Sequence, residues 1–110
     1  MIRITLAQLN YTVGDIEGNI DKMEQAARQA HADGSAMVVF SELSLTGYYP
    51  GDMLDDPRFL QRCALGIQAV CQTSLDLPEL YWVIGTPTIH QGPGKRLNNA
   101  LLVIRNGQIL

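Results

Sequence analysis

Glu42 is the residue of this sequence best placed to do chemistry. It follows a short apolar run, residues 36–40, and opens a loop rich in turn-forming residues, 44–51. A short apolar run bounded by turn signals is typical of a buried strand, and α/β proteins build their sites where such strands end. A carboxylate held there can act as a general base. Position alone leaves the ordinary alternative open, in which Glu42 is solvated or caps the next turn.

The two cysteines, Cys63 and Cys71, are the other candidate nucleophiles. They are eight residues apart in a predicted helix and therefore lie on about the same face. Two turns of helical rise separate them by about 12 Å, which is too far for a disulfide. We expect both to be small buried hydrophobic residues, because a nucleophilic role would need a base beside the thiol and the local sequence supplies none.

Three further patterns carry less information. Residues 92–95, Gly-Pro-Gly-Lys, lack the full spacing of a phosphate loop and precede a strand, so we interpret them as a surface turn. His31 and His90 do not lie in a metal-ligand spacing. Tyr48 and Tyr49 either cover the sheet edge or form the wall of a pocket around the carboxylate, and the sequence leaves both open.

The segments that position Glu42 predict a βαβ unit. A strand is predicted over residues 2–9 and a helix over 19–33, with Asp15 or Asn19 as its N-cap. The second strand ends near Glu42, so the two strands are expected to be parallel with a right-handed crossover. The apolar positions of the helix recur at helical spacing: Ile20, Met23, Ala27 and Ala30.

The second half of the chain predicts one more helix and three strands. The pair Asp56–Pro57 suits a helix start, because the aspartate can cap and the proline fits the first helical position. Strands are predicted at 81–85 and 99–104, and Asn106-Gly107 is a strong hairpin signal leading into a fifth strand, 108–110. The fold class is therefore α/β, a mixed sheet with two helices on one face. The apolar stripe of the second helix is predicted to be Leu60, Cys63, Ala64, Ile67 and Cys71.

Composition narrows the possible partners and compartment. The chain has 110 residues, 46% of them hydrophobic and 17% charged, which argues against disorder. With a net charge of −3 and no Lys/Arg cluster, neither nucleic acid nor an anionic membrane is an expected partner. No apolar run reaches the length of a membrane span and no secretory signal precedes the first strand, so the cytoplasm is the expected compartment.

Since strand 108–110 is unusually short, we expect residues 1–110 to be the N-terminal part of a larger domain, cut off after the fifth strand begins.

Several segments, in the right order, resemble the nitrilase (carbon–nitrogen hydrolase) superfamily. The resemblance covers essentially the whole chain, and it lies in residues 4–10 with Gly14, Asp15 and Asn19, in residues 39–48, and in Asn98-Asn99-Ala100 leading to Asn106-Gly107. Residues 48–54, followed by Pro57 and Phe59, are most similar to the glutaminase domain of glutamine-dependent NAD synthetases. Ser41 departs from the pattern because the family usually has Pro there, and residues 49–51 replace a more Pro-rich stretch. Neither change removes a group that the reaction needs.

The resemblance implies a fold and a mechanism. The fold would be a four-layer αββα sandwich, of which this chain supplies the N-terminal part. The mechanism would use a Glu–Lys–Cys triad: Glu42 takes the proton of a cysteine thiol, the thiolate attacks the side-chain amide of glutamine to form a thioester, and a lysine stabilises the intermediate. The matching Lys and Cys positions lie beyond Leu110. Only Glu42 therefore carries over as a catalytic residue, with Tyr48 as a candidate substrate-binding residue by position.

The resemblance also implies partners and cofactors. Glutamine is the implied substrate, and the ammonia released from it would serve the ATP-dependent amidation of nicotinic acid adenine dinucleotide. ATP and magnesium are implied for a synthetase domain outside this segment, and no cofactor or metal is expected within it. Homo-oligomeric assembly is expected. Two alternatives stay open: a fragment of a stand-alone nitrilase-type amidase, and a non-catalytic structural fragment that exposes a sheet face otherwise buried.

Overall fold

The computed structural model describes residues 1–89 and 97–110. His90 and the turn predicted at 92–95 lie outside the described residues. Along the chain the elements are strand β1 (Ile4–Ala7), helix α1 (Ile16–Ala32), strand β2 (Met37–Phe40), a 3₁₀ helix (Gly51–Asp55), helix α2 (Pro57–Ser74), and strands β3 (Tyr81–Ile89), β4 (Leu97–Arg105) and β5 (Gln108–Ile109). Neither α1 nor α2 combines the length and the apolar character that crossing a bilayer requires.

The strands form one five-stranded mixed sheet in the order β1-β2-β3-β4-β5. The β1–β2 and β2–β3 pairs are parallel, and the β3–β4 and β4–β5 pairs are antiparallel. The predicted parallel βαβ unit is therefore confirmed. The hairpin at Asn106 and Gly107 is also confirmed, since both residues have positive φ angles, 49° and 81°, as a two-residue hairpin of this type demands.

Both helices pack on the same face of the sheet, as predicted. That face is formed by alternate strand residues, which share one buried cluster with side chains of α1 and α2: Ala7, Val38, Phe40, Trp82, Ile84 and Ile104. The stripe predicted for α1 is buried, with Ile16 in addition. The helix begins three residues earlier than predicted, because the Asp15 carboxylate accepts a hydrogen bond from the Gly18 N–H at 3.1 Å and caps it there.

The stripe predicted for α2 was only partly correct: Cys63 is buried and Ile67 and Cys71 pack against the core, whereas Ala64 is exposed. The buried positions are Phe59, Cys63, Gly66, Val70 and Ser74. The helix turns this face inward because α1 and α2 approach closely at Gly66, where an added Cβ would lie 2.9 Å from Ile16 Cγ2. A search for apolar side chains cannot detect a contact surface that is centred on a glycine. The start of α2 was predicted correctly, since Asp56 Oδ1 accepts from the Arg58 N–H at 2.9 Å.

The opposite face of the sheet, which we call the open face, carries apolar side chains that neither α1 nor α2 covers. Leu6 is 74% exposed and Leu101 64% exposed, although both lie on strands. Exposed apolar surface of this kind is typical of a site of contact with another structural layer or partner. The aliphatic and methionine residues on this face include Ile4, Leu6, Met37, Val39, Val83, Leu101 and Val103.

The Asn19 side chain lies on the helix-covered side of the sheet and hydrogen-bonds both to the loop after β1 and to the loop after β2. It is fully buried in α1. Its side-chain oxygen accepts from the Thr12 N–H at 2.8 Å, and its amide donates to the carbonyls of Thr12 and Leu45 at 2.9 and 3.2 Å. One side chain thereby pairs with three backbone groups, of which the Thr12 carbonyl also accepts from the Asp15 N–H at 3.1 Å.

We predict that Asn19→Ala lowers the free energy of unfolding by about 3 kcal/mol, because it removes a fully buried side chain and leaves the buried Leu45 carbonyl and the Thr12 N–H without their partner. Urea unfolding of the 110-residue chain measures this. Gln25→Ala, an exposed change on the same helix, is the matched control and should cost no more than about 0.5 kcal/mol. Equal losses in the two variants would contradict the role given to Asn19.

Candidate active site

The loop after β2 leaves the sheet and then returns to it. The strand ends at Phe40, so Glu42 lies two residues past its end. The chain rejoins β3 at Gly85: Ser44 Oγ accepts from the Gly85 N–H at 3.0 Å, and the Leu45 N–H donates to the Gly85 carbonyl at 3.0 Å. The returning loop thus pairs with the backbone groups of Gly85 that a longer β2 would have used.

Between these points the turn crosses the open face directly above Gly85. A Cβ added at Gly85 would lie 2.4 Å from Leu43 N and 2.9 Å from the Ser41 carbonyl oxygen. Val38 and Phe40 face the helices, so a straight β2 would direct residue 42 into the core as well. The turn instead carries Glu42 to the open face, where its carboxylate is exposed.

The turn that carries Glu42 is buried apart from its first two residues. Leu43, Ser44, Leu45 and Thr46 are all buried. Internal hydrogen bonds hold the turn, including Gly47 N–H to Leu43 C=O at 2.9 Å. A buried, hydrogen-bonded turn that presents an exposed carboxylate can fix a general base before substrate arrives.

Glu42 receives a hydrogen bond from β4. The side-chain amide of Asn99 donates to Glu42 Oε1. Asn99 is paired with Pro87 of β3 and so lies on the open face. The sequence shows it only as part of the Asn98-Asn99-Ala100 motif, which gives it no role.

Tyr11 lies beside Ser41, the residue before Glu42. Burial raises the pKa of the Tyr11 phenol, the neighbouring Ser41 opposes part of this shift, and the hydroxyl makes no hydrogen bond among the described residues. No sequence pattern pointed to Tyr11, because its role depends on how the loops after β1 and β2 meet at the edge of the sheet.

Tyr48 and Tyr49 follow the buried turn and are both exposed. Their ring centroids are 5.9 Å apart, so the two side chains contact each other. Among the described residues neither hydroxyl bonds to Glu42. Tyr48 remains a predicted substrate-binding residue.

The cysteines do not join Glu42. Both are free; Cys63 is buried among core residues on the helix-covered side of the sheet, and Cys71 is only half-buried. Burial raises the pKa of the Cys63 thiol to about 11, and the Arg62 charge only partly opposes this. The structure thus agrees with a packing role for Cys63, while Cys71 is less buried than predicted. His31 is exposed in the last turn of α1.

The described residues do not enclose the site. Two concavities of about 650 and 660 Å³ lie elsewhere, one beside the start of α2 and one between α2 and the β4–β5 hairpin, and Glu42 lines neither. Within residues 1–89 and 97–110 no group of three or more His, Cys, Asp or Glu side chains could hold a metal ion. What this part of the chain presents is one anchored, exposed carboxylate on the open face.

Comparison with known proteins gives a consistent result. Residues 3–110 match the family described as Carbon-nitrogen hydrolase. A glutamine-dependent NAD(+) synthetase from Aquifex aeolicus is 36% identical over 100% of this chain and 18% of its own length. The structure of a glutamine-dependent NAD+ synthetase from Acinetobacter baumannii superposes with a TM-score of 0.81 at 27% identity, covering 99% of this chain and 20% of that one.

A likeness of fold extends to amidases. The nitrilase-superfamily amidase of Nesterenkonia AN1 superposes with a TM-score of 0.81 at 22% identity, over 99% of this chain and 40% of that one. Relative to the two synthetases described above, the chain spans about a fifth of their length. The predicted fold class is confirmed.

We predict that Gly85→Ala destabilises the chain by about 2 kcal/mol, since the new methyl group meets backbone atoms of the Glu42 turn and something must shift. Replacing a glycine by alanine in the middle of an ordinary strand instead raises the free energy of unfolding. Urea unfolding distinguishes the two. Leu101→Ala, the exposed register partner of Gly85, should cost about 0.5 kcal/mol or less; a stabilised Gly85→Ala variant would exclude the close crossing.

Thiol titration tests the cysteine assignment. With a pKa of about 11, only about 0.1% of Cys63 is thiolate at pH 8. In a Cys71→Ser variant, the reaction of Cys63 with an aromatic disulfide reagent should be slow, rise tenfold per pH unit from pH 8 to pH 10, and become fast in 8 M urea. Rapid reaction at pH 8 in the folded chain would contradict a buried, packing thiol.

Proposed function

This chain belongs to the carbon–nitrogen hydrolase family, and from that premise we propose that it is the N-terminal segment of a glutamine-hydrolysing NAD synthetase. The observation that carries the proposal is the placement of Glu42. A buried, hydrogen-bonded turn holds this carboxylate exposed over the open face, and the resemblance to the family implies that it is the general base.

In the proposed reaction Glu42 takes the proton of a cysteine thiol that lies outside this chain. The thiolate attacks the side-chain amide carbon of glutamine. As the tetrahedral intermediate collapses, the C–N bond breaks and the nitrogen takes the proton held by Glu42 and leaves as ammonia, so that a thioester remains for water to hydrolyse. A lysine, also outside this chain, stabilises the charge on the intermediate. Both groups would approach Glu42 from above the open face, because the helices close the other side of the sheet.

The further assignments follow from the same homology. Tyr48 is proposed to contact glutamine, because it is exposed and follows the turn that carries Glu42. The released ammonia would amidate nicotinic acid adenine dinucleotide in a separate ATP-dependent domain. ATP and magnesium are proposed to bind in that separate domain rather than in this segment.

The synthetase assignment is better supported than the amidase alternative. The Aquifex aeolicus and Synechocystis synthetases are 36% and 39% identical to this chain. The Nesterenkonia amidase, at 22% identity, supports the fold alone.

A fusion enzyme tests the proposal. Residues 1–110 would replace the matching segment of the Aquifex aeolicus synthetase, which aligns with the whole of this chain. We expect the fusion to release ammonia from glutamine, and Glu42→Gln to lower kcat by at least about 100-fold, because removal of a positioned base costs 10²–10⁴. A folded Glu42→Gln fusion with unchanged kcat would exclude Glu42 as the base.

The isolated chain provides the control. It should release no ammonia, since the proposed nucleophile is not among its residues. Clear glutaminase activity of the 110-residue chain would overturn the assignment of the triad.

A further inference from the structure

We propose that Asn99 is a positioning residue for Glu42, holding Oε1 of the carboxylate and leaving Oε2 to accept the proton of the nucleophile. The inference rests on the proposed function insofar as it concerns catalysis. The hydrogen bond itself is a structural claim and is tested separately below.

The sheet brings Asn99 to Glu42 through its register. Strand β4 runs antiparallel to β3, so its first residues lie at the edge where β2 and β3 end. Gly85 pairs with Leu101 and Pro87 with Asn99, so Asn99 is the next residue of β4 on the open face beyond the point that the turn crosses. Since the turn lifts Glu42 above Gly85, the Asn99 side chain reaches it from across β3.

The chemistry of an amide suits this task. Both oxygens of an ionised carboxylate accept hydrogen bonds, so the donor must be the amide nitrogen of Asn99. An amide is neutral at all working pH values and neither takes nor supplies the catalytic proton. It therefore fixes one oxygen of the base without competing for the proton that the other must accept.

Glu42 needs such a tether because its side chain is exposed. A glutamate has three rotatable side-chain bonds, and ordering them costs conformational entropy that burial does not offset here. The turn fixes only the backbone of Glu42. Asn99 is itself exposed, so its contribution to the core is small, and its one side-chain hydrogen bond in the described part of the chain is to Glu42.

The tether is tested first in the 110-residue chain by NMR. The side-chain amide protons of Asn99 should be shifted and protected from exchange in the wild type, and should return to free-amide values in Glu42→Ala. The side-chain amide of Asn10, an exposed asparagine near the same sheet edge, should be unchanged. Identical Asn99 signals in wild type and Glu42→Ala would overturn the tether whatever the enzyme does.

The catalytic consequence is tested in the fusion enzyme. Asn99→Ala should lower kcat roughly 10- to 100-fold and leave KM for glutamine unchanged, because misplacing a catalytic group affects the chemical step more than binding. Asn10→Ala should have no effect. An Asn99→Ala variant with wild-type kcat, in a fusion that Glu42→Gln inactivates, would overturn the positioning role while leaving the proposed function standing.

An isosteric variant separates positioning from a structural role. Asn99→Asp keeps the shape but removes the amide donor and faces Glu42 with a second carboxylate, whose repulsion should displace it. We therefore expect kcat of Asn99→Asp to fall at least as far as that of Asn99→Ala, with KM for glutamine unchanged. Wild-type kcat in Asn99→Asp would contradict a hydrogen bond donated by Asn99 to the Glu42 carboxylate. If Glu42→Gln has no effect on the fusion, the proposed function fails instead.

Discussion

The absence of a side chain at Gly85 is the constraint on which the candidate site depends. A strand alternates its side chains between two faces, so residue 42 would follow Val38 and Phe40 into the helix-covered core. An unpaired carboxylate cannot be buried there without a large cost. The chain avoids this by crossing the sheet through the space that a Cβ of Gly85 would fill, while both backbone groups of Gly85 stay hydrogen-bonded to the returning loop.

The two faces of the sheet differ in what they contribute to the structure. The helix-covered face supplies stability through the cluster around Trp82 and Ile84, and from that side Asn19 bonds to the loops at the edge of the sheet. The open face carries the carboxylate and its partner from β4. Asn19 holds the loops from the helix-covered side of the sheet. The open face can therefore remain exposed and polar at Glu42 while the turn keeps its conformation.

The sequence predicts elements well where the signal is local. The start of α2 at Asp56–Pro57, the stripe of α1 and the hairpin at Asn106-Gly107 each depend on neighbouring residues, and each was predicted correctly. Glu42 could be singled out by its position and by the family motif. Asn99 and Gly85 could not be assigned roles, because these follow from strand register over more than forty residues of sequence separation. The buried face of α2 was only partly predicted for a related reason, since its centre is Gly66.

The order of the strands in the sheet is also their order along the chain. Every strand therefore pairs with the strand that precedes it in the chain. The two parallel pairings, Ile4 with Met37 and Met37 with Tyr81, nevertheless each span a helix, and such long-range contacts slow folding because closing a long loop costs entropy. The backbone of Glu42 is held once β2 and β3 have paired, and Asn99 reaches the carboxylate only when β4 pairs with β3. The hydrogen bond between Asn99 and Glu42 is therefore a late contact in folding, and it reports that the sheet has formed as far as β4.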